Sequence, residues 1–167
     1  MLLYRHQTLQ AVYPLNASAN TGDKTDAKTV IDFYFPVLET NASPASPLLV
    51  FVPGGAWYTH SEEEYKLMAV KLVEHSVSMG APIVVAVVGY RLSVAGLNDT
   101  RYPRHLHDMA HGISFLERNE QQFAYDPTRL YLAGHSAGAQ LISMLVMTPA
   151  IVNSGTDEGT PTVPHLR

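Results

Sequence analysis

The sequence contains no cysteine. That excludes disulfides, a cysteine nucleophile and thiolate metal sites. It also lacks long apolar runs. No stretch approaches the ~20 consecutive apolar residues of a membrane span, so no membrane partner is expected. Arg5, His6 and Gln7 interrupt the stretch from Met1 to Leu15, which leaves no apolar core for a signal peptide. Basic runs are missing, and the formal net charge is -4. Nucleic acid is therefore not expected as a partner. Three glycosylation sequons begin at Asn16, Asn41 and Asn98, but such patterns stay unused without export. A cytoplasmic location is the expectation.

The 167 residues are 46% hydrophobic and 16% charged. That composition argues against wholesale disorder and suits one domain, residues 1–167, with a sizeable core. Strand and helix signals alternate along it, which predicts an α/β fold with a mostly parallel sheet and flanking helices. Leu9 to Leu15 is a short apolar stretch. Val30 to Pro36 and Ile83 to Val88 read as strands, and so does Leu48 to Val52, a continuous apolar run of the kind buried in parallel sheets. Ser61 and Glu64 have the spacing of a capping box. Glu62, Glu63 and Glu64 then suit a helix start, and Tyr65, Met68, Ala69, Leu72 and Val73 form its apolar stripe. Gly80 and Pro82 end that helix. A second helix follows Pro103, with Leu106, Met109, Ala110, Ile113 and Leu116 on one face. Asp126-Pro127 reads as a turn, Leu130 to Leu132 as a strand, and Ala137 to Met147 as a third helix. Residues 150–167 read as a frayed tail.

Gly134-His135-Ser136-Ala137-Gly138 matches the G-x-S-x-G elbow. A serine hydroxyl is a weak nucleophile until a base takes its proton. A tight strand-to-helix corner thrusts it out of the backbone, where a base can reach it. Glycines at Gly134 and Gly138 relieve the crowding of such a corner. The N–H of Ala137, at the start of a helix, then points at the developing oxyanion. Ser136 is the candidate nucleophile. Pro53-Gly54-Gly55-Ala56-Trp57 follows the third strand directly, where this chemistry needs a second amide donor. Gly54 and Gly55 let the backbone approach a substrate closely. Trp57 either lines an acyl pocket or packs under the loop.

His107 and His111 stand four apart on one helix, as zinc ligands do. The Asp between them is shorter than the Glu that pattern requires, and no third ligand is evident. They read as a solvated polar face, and His60 and His75 as surface residues. No metal and no cofactor are called for.

As a set, PGGAW (53–57), GYRLS (89–93), YPRHLHDM (102–109) and GHSAGA (134–139) resemble the α/β-hydrolase branch of kynurenine formamidases and hormone-sensitive-lipase-like carboxylesterases. The resemblance runs from Val30 to Met147, and the R-L-S, P-R-x-L and G-H-S details lean towards the formamidases. It implies that Ser136 is the nucleophile and that Gly55, Ala56 and Ala137 supply the oxyanion amides. Gly54, Trp57, Gly134, His135 and Gly138 support them. Arg91 and Asp108 fall at positions that tie the sheet to the second helix. The chain departs from the family at Pro53, where the family has a histidine that braces the loop. The resemblance also places the triad acid and histidine beyond Arg167.

After Ser136 the chain offers only Asp157, Glu158 and His165 as acid and base. Their order suits a triad, but their spacing does not. A further parallel step needs a βαβ unit of about 30 residues, and the third helix consumes the stretch to Met147. The expectation is a partial α/β-hydrolase fold that lacks its C-terminal strands. Its activity is that of a serine hydrolase acting on small carboxylic esters or aryl formamides, impaired because the triad acid and histidine are missing. A non-catalytic hydrolase-like binding protein or an inactive fragment is the alternative. The last strand is left as an open edge, through which the chain can self-associate.

Overall fold

Runs of β-branched and aromatic residues build the sheet, and the apolar stripes of the helices cover it. The computed structural model describes residues 4–10, 30–38, 45–59, 62–93, 100–119, 123 and 125–147. The sequons at Asn16 and Asn41, the Asn98 side of the third, and Ser61, His60 and residues 150–167 lie outside them. The elements are β1 (Tyr4–Gln10), β2 (Val30–Pro36), β3 (Ser46–Val52), a 3-10 turn (Glu62–Tyr65), α1 (Lys66–Ser78), β4 (Val84–Val88), α2 (Arg104–Arg118), β5 (Tyr125–Gly134) and α3 (Ala137–Met147).

The strands form one sheet in the order β1-β2-β4-β3-β5. β4, β3 and β5 run parallel, while β2 is antiparallel to both β4 and β1. The sheet is thus mixed, with a parallel half formed by β4, β3 and β5. β4 is buried along its whole length, as expected of a strand covered on both faces. Val84, Ala86 and Val88 pack with Val50, Leu106, Met109, Ile113 and Leu141 on one side. Val85 and Val87 pack with Ala69, Val70 and Val73 of α1 on the other. Helices therefore cover both faces, and among the described residues none is long and apolar enough to cross a membrane.

Two local expectations change, and the structure adds a strand. Glu62–Tyr65 is a 3-10 turn ahead of α1, whose N-cap is Tyr65 with no side-chain cap. Glu63 does not serve a helix start; it pairs with Lys66 at 3.0 Å. Tyr4–Gln10 is a strand paired with β2, although its sequence, YRHQTLQ, has no continuous apolar pattern. Asp126 does accept a turn-type bond from the Thr128 N–H at 2.9 Å. That turn lies inside β5, where the register against β3 shifts between Pro47 and Leu48. A bulge lets one strand absorb the turn instead of ending there.

Candidate active site

The parallel register sets the geometry. Val52, the last residue of β3, pairs with Gly134, the last of β5. The loops that follow both strands therefore leave the sheet side by side, at its C-terminal edge, where open α/β sheets place their ligand sites. The His135 N–H still donates to the Val52 carbonyl at 3.1 Å, so the ladder continues to the residue before Ser136.

Ser136 then turns the chain with φ at 50° and stands exposed before α3. A left-handed conformation costs a non-glycine residue about 1–2 kcal/mol, and such strain persists only where surrounding structure imposes it. The neighbouring glycines show what imposes it. A Cβ on Gly138 would overlap the Val52 carbonyl oxygen, and one on Gly134 would come within 2.8 Å of the Ala139 nitrogen. α3 thus starts pressed against the end of β3, and only glycine fits at either flank.

The loop after β3 is built from the same kind of backbone. Gly55, Ala56 and Trp57 have φ of 117°, 49° and 65°. Tyr58 and Thr59 donate their N–H groups to the Gly55 carbonyl at 3.1 and 3.0 Å, which closes the turn. Gly54 lies directly against the elbow: a Cβ there would meet His135 Nδ1 at 2.6 Å and Ser136 Cβ at 3.2 Å. The structure therefore brings Gly54, Gly55, Ala56, Gly134, His135, Ser136, Ala137 and Gly138 together. Trp57 stays partly exposed on the loop.

The hydrogen-bond accounting of these loops is informative. Gly54, Tyr58, Thr59 and Gly138 all spend their N–H groups on protein acceptors. Among the described residues, no hydrogen bond takes the N–H of Gly55, Ala56 or Ala137. Gly55 and Ala56 lie on an open loop, and the first amides of a helix have no intrahelical acceptor. Here they sit beside an exposed serine, at a loop and at a helix start, where partial positive charge collects.

Tyr90, within the GYRLS segment, and Tyr65, expected in an apolar stripe, hold the loop in place. The Tyr90 hydroxyl donates to the Pro53 carbonyl at 3.2 Å. Burial, with the nearby Tyr65 adding to it, pushes the Tyr90 pKa up to about 12, so the hydroxyl keeps its proton as a fixed donor. Tyr65 bonds both Gly54 and His135. In addition, the Ser93 N–H donates to the Trp57 carbonyl at 2.8 Å. The segment 89–93 is itself anchored, because Arg91 grips the carboxylate of Asp108 through its backbone N–H, Nε and Nη2. Asp108 is fully buried, so this pair ties the end of β4 to α2, the structural part assigned to these two residues.

Among the described residues no histidine bonds Ser136. The Ser93 hydroxyl donates to the Thr100 carbonyl at 2.7 Å, which leaves Nε2–H of the buried His105 to donate to Ser93 Oγ at 3.0 Å. His135 faces Tyr65, and His6 faces Asp32 at 3.5 Å. His107 and His111 are half-buried rather than solvated, and His75 is exposed. Packing of α2 against the sheet explains the difference, since its polar positions flank a wide apolar face. Among the described residues no three His, Asp or Glu side chains are grouped to hold a metal ion. Asp157, Glu158 and His165 lie outside the described residues.

The profile of one family, BD-FAE, matches residues 18–159. The chain belongs to the BD-FAE family. Among other relatives of this BD-FAE chain is a probable isoprenylcysteine alpha-carbonyl methylesterase of Arabidopsis thaliana, 34% identical over 74% of the chain and 26% of the relative. A kynurenine formamidase of Salmo salar is 35% identical over 71% of the chain and 34% of the relative. The chain thus spans about a quarter to a third of the length of these relatives. Among solved structures, a bacterial heroin esterase superposes with a TM-score of 0.65 at 22% identity, covering 89% of this chain and 40% of that one. An esterase of Pyrobaculum calidifontis superposes at 0.66 and 18% identity, again over 40% of its length. At those identities the likeness is one of fold: the BD-FAE chain has a partial α/β-hydrolase fold. The resemblance to formamidases and carboxylesterases holds, and prenylcysteine methylesterases, not considered from the sequence, join them.

Proposed function

We propose that this chain carries the nucleophile and oxyanion-binding half of a serine hydrolase acting on small carboxylic esters or aryl formamides. The observation that carries the reading is the pairing of an exposed, left-handed Ser136 with three unspent amides, Gly55, Ala56 and Ala137. In this reading Ser136 Oγ attacks the substrate carbonyl carbon while a base takes its proton. The carbonyl oxygen becomes an oxyanion held by the three amides. Collapse of the tetrahedral intermediate expels the alcohol or amine and leaves an acyl-enzyme, which water then cleaves. Each amide donor is worth about 3–4 kcal/mol in transition-state stabilisation. The esterase and formamidase relatives support the substrate class. Trp57, partly exposed beside the amides, is a fitting wall for the acyl or aryl group.

The base is the weak point of the 167 residues taken alone. Among the described residues no histidine bonds Ser136, and the stretch after Ser136 holds a single histidine, His165. Loss of the base removes roughly a millionfold in rate, so the chain by itself is a slow enzyme. A fluorophosphonate probe tests this. The folded chain is expected to label slowly and only at Ser136, with no labelling of Ser136→Ala. A His165→Gln variant that labels like the parent removes His165 as base. Complete absence of labelling in a folded chain, with a high concentration of imidazole added as an external base, sinks the hydrolase reading.

A further inference from the structure

Two loops from different strands must keep a fixed separation if amides on one and a hydroxyl on the other are to serve one carbonyl group. A misplacement of about 1 Å can cost a hundredfold in rate. Only one side chain bonds both loops among the described residues. The Tyr65 hydroxyl lies 2.9 Å from the Gly54 nitrogen and 3.0 Å from His135 Nδ1. The Gly54 N–H can only donate, so the tyrosine oxygen accepts. In the imidazole tautomer that carries its proton on Nε2, Nδ1 accepts the hydroxyl proton. One hydroxyl thereby joins the loop after β3 to the elbow after β5.

Its surroundings make the joint rigid. Tyr65 caps α1 at the end of the 3-10 turn, so its backbone position is set by the helix. Its ring packs on Phe51 of β3, with centroids 5.1 Å apart, and faces the His135 ring at 6.2 Å. The residue before Gly54 is Pro53, which has no N–H to contribute a bond of its own. Among the described residues, the hydrogen bond that holds Pro53 is the one from Tyr90 to its carbonyl. Without Tyr65, no other described residue accepts from the Gly54 amide or bonds the loop to His135.

We propose that Tyr65 is a positioning residue, whose hydroxyl latches the oxyanion loop at Gly54 to the nucleophile elbow at His135 and so fixes the distance between the amides and Ser136. This rests on the assignment of Ser136 and its loop above, and the latch itself is testable without any activity. Tyr65→Phe keeps the ring packing and removes only the hydroxyl. In the full chain, hydrogen exchange at Gly54 is expected to accelerate at least tenfold in Tyr65→Phe. The His135 Nδ1 resonance is expected to move towards that of a free imidazole, while the amides of α1 keep their protection. His135→Ala should loosen Gly54 in the same way, because the hydroxyl loses its acceptor and its orientation. His135→Asn places an amide oxygen near the position of Nδ1 and should restore protection. Unchanged Gly54 exchange and an unchanged His135 resonance in Tyr65→Phe overturn the latch. Probe labelling then reads its consequence: Tyr65→Phe is expected to slow modification of Ser136 about tenfold at an unchanged saturation constant, and equal rates overturn the positioning role. A parent chain that never labels counts against the hydrolase reading alone, and the exchange comparison still decides the latch.

Discussion

Ser136 occupies backbone that glycine prefers, and the size of that preference can be measured. Left-handed φ costs a non-glycine residue about 1–2 kcal/mol. Glycine returns about 0.5–1 kcal/mol of this through the greater freedom of its unfolded chain. Strain relief is the larger quantity, so Ser136→Gly should be more stable than Ser136→Ala by about 0.5–1 kcal/mol. For a chain of this size that is roughly 2–3 °C in Tm. Thermal unfolding of the two variants, both without the hydroxyl, checks it. An alanine variant as stable as the glycine one would mean that the turn relaxes and that φ at Ser136 is not imposed by its neighbours. Much of this site was legible from sequence because its constraints are local. Gly134 and Gly138 flank Ser136 at fixed spacing, and each is required by a backbone atom of a strand or helix within reach. Tyr65 and Tyr90 were not legible in their roles. The spacing of Tyr65 fits an apolar stripe, and its ring does pack on Phe51. Its hydroxyl, however, acts on a residue 70 positions away, and no local pattern encodes that.

At the level of elements, α2 combines an apolar face with polar groups that the fold has buried. Burial, with Arg91 adding to it and Asp108 opposing, holds the pKa of His105 below its ordinary value of 6.5. Burial lowers His111 too, again against the pull of Asp108 and with His107, Arg118 and Arg91 reinforcing it. Both folded-state values lie below the unfolded one. Below about pH 6.5 the unfolded chain therefore takes up protons that the folded chain refuses, and stability falls as pH falls through that window. Above it the contribution is complete. Denaturation midpoints between pH 7.5 and 5 should decline in the parent and decline less steeply in His105→Gln. An identical slope in the variant would remove His105 as a source of the acid sensitivity. β4 and α2 announce themselves by continuous or periodic apolar residues. β1 does not, because strand Tyr4–Gln10 lies at the sheet edge and its exposed Arg5, His6 and Gln7 need not alternate. The turn at Asp126 is legible as chemistry, but its place inside β5 is not, because the bulge that keeps it there depends on the register against β3.

Over the whole molecule, the two sheet edges differ in kind. β1 presents Arg5, His6 and Gln7, and charged or polar edges resist pairing with another chain. β5 has no neighbour on its outer side among the described residues. Its first half is blunted by the bulge from Asp126 to Arg129, where Arg129 pairs with Asp126 at 2.7 Å. Its second half, Leu130 to Gly134, carries no charge. Tyr131 there is 58% exposed, and Val146 and Met147 of α3 are also open to solvent. An uncharged edge next to apolar side chains is the arrangement that recruits a further strand. The solved esterases, of which this chain covers 40%, are long enough to supply one from their own sequence. With only the 167 residues in solution, the nearest available strand is that of a second copy. The chain should therefore self-associate through β5, with a mass that rises with concentration in light scattering. Tyr131→Lys puts a charge on that edge without disturbing the core, and it should weaken association by about tenfold, or ~1.4 kcal/mol. A parent chain that stays monomeric at every concentration would show that this edge is protected, and the protection would then have to come from residues outside the described part of the fold.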